Sequence, residues 1–285
     1  MKQRALVRRR AGMGIPELIV GLVIMGILGI AAVKTFISQT RFAELQQKKR
    51  FARTVARAPV NLLLSEIRMA DNANAVAAAS SASGASSVTV RIPVSMAIVC
   101  GSSGAGTVLS LTPTDSAMSA GAAPSGYAYR TTSGLYSYTE TPLTITSSGA
   151  GVCAAANITT LPGGRVVTVV PVFPVAATPG TPAFIYQRVR FSFAPSAIFP
   201  GRLGMWRTLE ATGATEELAA PFDSSSRFRF YRNSNDTADV AVPPLNEING
   251  IEFVLSGSSD RPRFGKAKPE TALFRTSVFF TNRVN

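Results

Sequence analysis

The chain has 285 residues, of which 46% are hydrophobic, and carries a formal net charge of +13 with no histidine. That length and apolar content suffice to bury a core, which excludes disorder throughout. The lack of histidine excludes Ser-His-Asp triads, Cys-His pairs and histidine-ligated metals.

The first element is a short basic segment. Five cations (Lys2, Arg4, Arg8, Arg9 and Arg10) fall within residues 1–12, and the remainder of the chain carries +8. Next comes an apolar run over 15–33, the one stretch that approaches the roughly 17–25 apolar residues needed to cross a bilayer. Lysine and arginine just outside a span favour the cytoplasmic side. The N-terminus is therefore expected inside, with everything after the span on the outer face.

A basic segment followed by an apolar one is also how a secretory signal begins. Gly29-Ile30-Ala31 offers small residues at a spacing a signal peptidase accepts, which would release a soluble protein starting at Ala32. Two features oppose that reading. Glu17 sits near the start of the apolar run, where an ionised group costs less than the ~2.5–3.5 kcal/mol it costs at a span centre but gains a passive signal nothing. The chain also stays helix-compatible from 34 to 70, with Phe36, Ile37, Leu45, Phe51, Val55, Leu62, Leu63 and Ile67 roughly on one face. A helix over 13–70 would hold 58 residues and span about 87 Å, with Pro59 kinking or restarting it.

The distal half of that helix bears Lys34, Arg41, Lys48, Lys49, Arg50, Arg53 and Arg57. Such a run reads as a solvated or intersubunit face, with acidic lipid, DNA and acidic partners as alternatives. Binding single-stranded DNA calls for aromatics interleaved with the cations. Only Phe42 and Phe51 serve, so nucleic acid is not the expected partner.

Residues 71–87 are mostly Ala, Ser, Asn and Gly and read as a linker. Beyond them the runs 88–94, 107–111, 143–146, 166–173, 184–193 and 228–231 are β-branched and aromatic, bounded by Gly, Pro, Ser and Asn. This predicts an α+β fold: a long N-terminal helix, transmembrane and then amphipathic, packed on an antiparallel β-rich domain over 88–285. Cys100 and Cys153 fall on the outer, oxidising side, where a disulfide is expected. It would close a loop of about 50 residues and contribute roughly 4 kcal/mol. Two buried free thiols are the alternative.

Chemistry-bearing motifs are scarce. There is no phosphate-cradling loop and no zinc spacing of cysteines, and no convergent motif points to a Ser-Lys enzyme. A non-enzymatic protein without cofactor or metal is expected. Asn233, Asn235, Asp236 and Asp239 form an oxygen-rich stretch that would suit calcium. It lacks the glycine and distal glutamate of a known calcium loop, so a turn built from Asn and Asp is preferred.

One motif stands apart. Gly12-Met13-Gly14-Ile15-Pro16-Glu17-Leu18 resembles the type III signal of type IV pilins and pseudopilins, in which cleavage follows a glycine and glutamate is the fifth mature residue. The resemblance implies that prepilin peptidase cuts after Gly12, that Met13 becomes an N-methylated N-terminus, and that Glu17 is the assembly carboxylate. Cleavage after Gly14 would make Glu17 the third residue and fits the pattern worse. Pro16 departs from the aliphatic residue usual at this position, but its missing N–H is among the four a helix start leaves unpaired.

Residues 62–70, 203–207, 216–218, 251–255 and 274–282 are similar in order to PilW-like minor pilins and, more distantly, to type II secretion pseudopilins. This implies a single-pass protein of the inner membrane that joins major and minor pilins through its helix, with the inner-membrane assembly machinery as a further partner. It would then be incorporated in a pilus. A pseudopilus component, a helix-anchored adhesin or a DNA-uptake module remain as alternatives.

Overall fold

The computed structural model describes residues 14–70, 74–82, 84–232 and 237–280. Helix α1 spans Ile15–Arg57, 43 residues long, and rises about 65 Å. Its first turn tolerates Pro16 because the amide that proline lacks would have had no intrahelical partner. The Gly14 N–H beyond it donates to Glu17 Oε2 at 2.6 Å, so a side chain satisfies a group the helix itself leaves open.

Pro59 restarts the helix rather than ending it. Ala58 keeps right-handed helical dihedrals and its N–H still reaches Thr54 O at 2.9 Å. Pro59, at φ −79° and ψ −11°, leads directly into α2, Val60–Arg68.

All strand pairings are antiparallel. The strands are β1 (Val76–Ser80), β2 (Ser87–Ser103), β3 (Gly106–Leu111), β4 (Gly126–Arg130), β5 (Tyr136–Thr139), β6 (Thr144–Ser147) and β7 (Arg165–Val170). They continue with β8 (Pro182–Pro195), β9 (Leu203–Leu209), β10 (Ala214–Phe222), β11 (Arg227–Arg232), β12 (Ile248–Ser258) and β13 (Thr271–Phe279). Two short helices, α3 (Pro113–Ala120) and α4 (Gly151–Ala155), complete the order. The sheet runs β11-β12-β10-β9-β8-β2-β3-β7-β6, with β1 on β2, β13 on β12, and β4 between β5 and β8. A long N-terminal apolar helix and a large antiparallel sheet domain are therefore as expected.

One boundary differs. Residues 76–80, inside the predicted linker, form β1 and pair with β2 from Val76↔Val90 to Ser80↔Ser87. Their Ala- and Ser-rich composition has little strand propensity, and tertiary pairing overrides it. Arg91 fastens this edge, donating its amide to Ala75 O at 2.7 Å and its guanidinium to the carbonyls of Asn74 and Val76.

Long β2 and β8 pair from Ser87↔Ser192 to Ile98↔Pro182 and thread two cores. The larger lies beneath the helices: Val55, Ala56, Val60, Leu63 and Ile67 pack with Phe191, Phe193, Phe222, Phe228, Phe253 and Leu255. The smaller holds Val99, Leu109, Tyr127, Val169, Phe173 and Ile185, with Tyr127 and Phe173 stacked at 3.7 Å. Beside it Cys100 and Cys153 form a disulfide, both buried, with Cα atoms 4.6 Å apart. Free buried thiols are thereby excluded.

Candidate functional site

Two halves of one helix face different surroundings. From Ile15 to Ala43 every residue of α1 is exposed, including Ile15 at 80% and Met25 at 75%. The segment is long and apolar enough to cross a membrane, and none of its most apolar window is buried. Exposing so many contiguous large apolar side chains to water is unfavourable at about 25 cal/mol per Å², so this surface belongs in lipid or against other apolar helices. Within 15–33 the one ionisable side chain is Glu17.

Glu17 stands at the third position of α1, close to its positive end, where a carboxylate is favoured. Its Oε2 accepts from the Gly14 N–H, and Oε1 has no partner among the described residues. Gly12 and Met13, the predicted cleavage and methylation residues, lie outside the described residues.

The second half of the helices is locked to the domain. Glu44 accepts from the Phe264 N–H at 3.2 Å, and Lys48 bonds Asp260 at 2.6 Å. That hydrogen bond holds the Asp260 carboxyl below its ordinary value. Ala52 and Ala56 lie so near β12 that a Cβ on Gly257 would sit 2.1 Å from Ala52 O and 2.8 Å from Ala56 N. Farther on, the Glu66 carboxylate accepts from Arg207 Nε at 3.0 and 3.1 Å and pairs with Nη2 at 2.9 Å. Burial opposes the Arg207 charge, yet Glu66 and Glu216 together raise its pKa.

The cations of the helix thus divide. Lys48 has an acidic partner and Arg57 lies over the Phe274 ring at 5.6 Å. Lys49 and Arg53 line a shallow groove with Arg57, Leu273 and Phe274 and have no acidic partner among the described residues.

The acids of the domain are mostly spent internally. Glu140 joins Arg91 and Arg188, Arg188 reaches Glu210 at 2.7 Å, and Arg229 pairs with Glu252 at 3.1 Å. The phenol of Tyr186 lies under the first of these networks and donates to Thr139 O at 3.0 Å. Burial pushes its pKa up to about 12, with Glu140 adding to the rise and Arg91 and Arg188 opposing it.

Of the candidate calcium residues, Asn233, Asn235 and Asp236 lie outside the described residues. Asp239 is described, and its backbone bridges Phe230, the Asp239 N–H donating to Phe230 O at 2.8 Å. Among the described residues no group of three or more His, Cys, Asp or Glu is placed to hold a metal.

Sequence reasoning missed both Gly257 and the Glu66–Arg207 clamp. A glycine inside a strand pattern signals close backbone approach, so Gly257 left a readable trace. A pair separated by 141 positions left none.

The chain matches no family model, no curated protein and no solved structure. Its function is therefore argued from its own residues.

Proposed function

We propose that the chain is a minor pilin of a type IV pilus, a structural subunit that helps initiate or cap the filament after prepilin peptidase removes residues 1–12. The observation that carries this reading is the helix itself. Its apolar half is bare along its length and runs without a loop into a half locked to the domain. A secretory signal is discarded and needs no such continuity.

Glu17 supplies the chemistry. A carboxylate held in an apolar layer is stabilised by an opposite charge at the same depth. The α-amino group of a mature neighbouring subunit, beginning at Met13, offers that charge. Pairing would set the axial register as helices from successive subunits pack side by side. Other pilins are the partners, and the helix holds each subunit in the inner membrane until the assembly machinery extracts it.

The test is the mature N-terminus after co-expression with a prepilin peptidase, read by mass spectrometry. Methylated Met13 at the start is the expected result. A start at Ala32 would overturn the proposal.

A further inference from the structure

The connection between β12 and β13 runs down the outside of α1. Gly257 lies against Ala52 and Ala56, Asp260 bonds Lys48, and the Phe264 N–H donates to Glu44. Each step along the connection moves about one turn toward the helix N-terminus. Residues 15–43 of the helix are all exposed among the described residues, and Glu44 and Leu45 are the first in the helix to be partly covered. The connection is therefore the leading edge of the domain on the side of the apolar run.

Its composition suits a charged surface. Residues 259–270 carry Arg261, Arg263, Lys266 and Lys268 against Asp260 and Glu270. Both acids are engaged, Asp260 by Lys48 and Glu270 by Arg263 at 3.5 Å. Lys266 and Lys268 are exposed and have no acidic partner among the described residues. Phe264 is 81% exposed at the tip, where Gly265 turns the chain with φ +77°. Lys34 and Arg41 on the bare helix add two more exposed cations below it.

The reach is short. Glu44 lies eleven residues beyond Val33, a rise of about 17 Å. Helical side chains lean toward the N-terminus, which brings the loop nearer still. The headgroup layer occupies about 5–7 Å of that height, and an anionic surface attracts cations across a further 8 Å or so at physiological salt.

We infer that the 259–270 loop docks on anionic phospholipid headgroups, through Lys266, Lys268 and Phe264, and so orients the domain on the membrane that holds its helix. The inference rests on residues 15–33 being a membrane span and is independent of filament assembly. Two attachments, one hydrophobic and one electrostatic, would hold the domain in a single orientation.

The experiment uses the full chain in lipid nanodiscs with an environment-sensitive dye on Ala267→Cys, the disulfide leaving that thiol as the one available for labelling. In phosphatidylglycerol discs the dye should shift to the blue and lose access to iodide, and high salt should reverse both changes. Phosphatidylcholine discs should give neither. Lys266→Ala with Lys268→Ala should lower the docked-to-free ratio about 25-fold, at about fivefold per cation near an anionic surface. An identical dye signal in the two lipids, with the chain embedded in both, overturns the docking. Failure of the chain to remain with the discs overturns the span as well.

Discussion

Glu66 on α2 and Arg207 on β9 meet through both carboxylate oxygens, with Nε at 3.0 and 3.1 Å and Nη2 at 2.9 Å. The side chains are only 14% and 19% exposed, so the pair is shielded from water more than an ordinary surface bridge. Glu66→Ala strands a guanidinium that, among the described residues, keeps Glu216 as its acidic partner, the more exposed of the two. A loss of about 2 kcal/mol is expected, below the 3–5 of a fully buried pair. Urea unfolding of the full chain in detergent micelles measures it, and a change under 0.5 kcal/mol would show the clamp to be idle.

Gly257→Val should be worse. The added Cβ meets helix backbone at 2.1 and 2.8 Å, and backbone cannot swing aside as a flexible side chain does. The helix must lift from β12, and overpacking of this type costs about 1–3 kcal/mol or more. The diagnostic readout is local: hydrogen exchange at Ala52–Ala56 should accelerate while the core around the disulfide stays protected.

Replacing Cys100 and Cys153 by alanine frees a loop spanning a separation of 53 residues. On the chain-entropy model this lowers stability by about 4 kcal/mol. The bridge sits beside the smaller core, so that core should melt first. Loss of the near-ultraviolet signal of Tyr127 before that of Trp206, followed in single-tyrosine variants, would verify the order.

Tyr186 makes stability fall at high pH. Its folded pKa is raised to about 12 from 10.0, so between those values the unfolded chain releases a proton that the folded chain retains. The stabilisation is whole below pH 10 and is lost as pH rises toward 12, a change of about 2–3 kcal/mol. Tyr186→Phe removes this slope while sacrificing one hydrogen bond to Thr139, worth about 1 kcal/mol. Denaturation at graded pH resolves the two effects, and an unchanged slope in the variant would assign the loss to other groups.

Much of the architecture was readable because its signals are local. The apolar run with Glu17, the β-branched and aromatic segments that became β2, β3, β6, β7, β8 and β11, and the placement of both cysteines beyond the apolar run need only short windows of sequence. What escaped depends on distant partners. Residues 76–80 are a strand because β2 lies beside them, β5 is four residues of Tyr, Ser and Thr held by β4, and nothing around Arg207 announces Glu66. The helix was legible to within two residues at its start and at Pro59. The loop lining its flank was not, since its cations look like solvated charge until Asp260 and Glu44 show where it lies.

That flank has a mechanical meaning. Gly257, Asp260 and Phe264 meet the helix in sequence along its length, and Arg207 grips it farther on. A pull along the helix axis therefore loads these contacts side by side in shear, and the force is shared among them. A pull across the axis would open them one at a time, like a zip. The domain is thus fastened most strongly along the helix axis, the direction in which the proposed filament would be stretched.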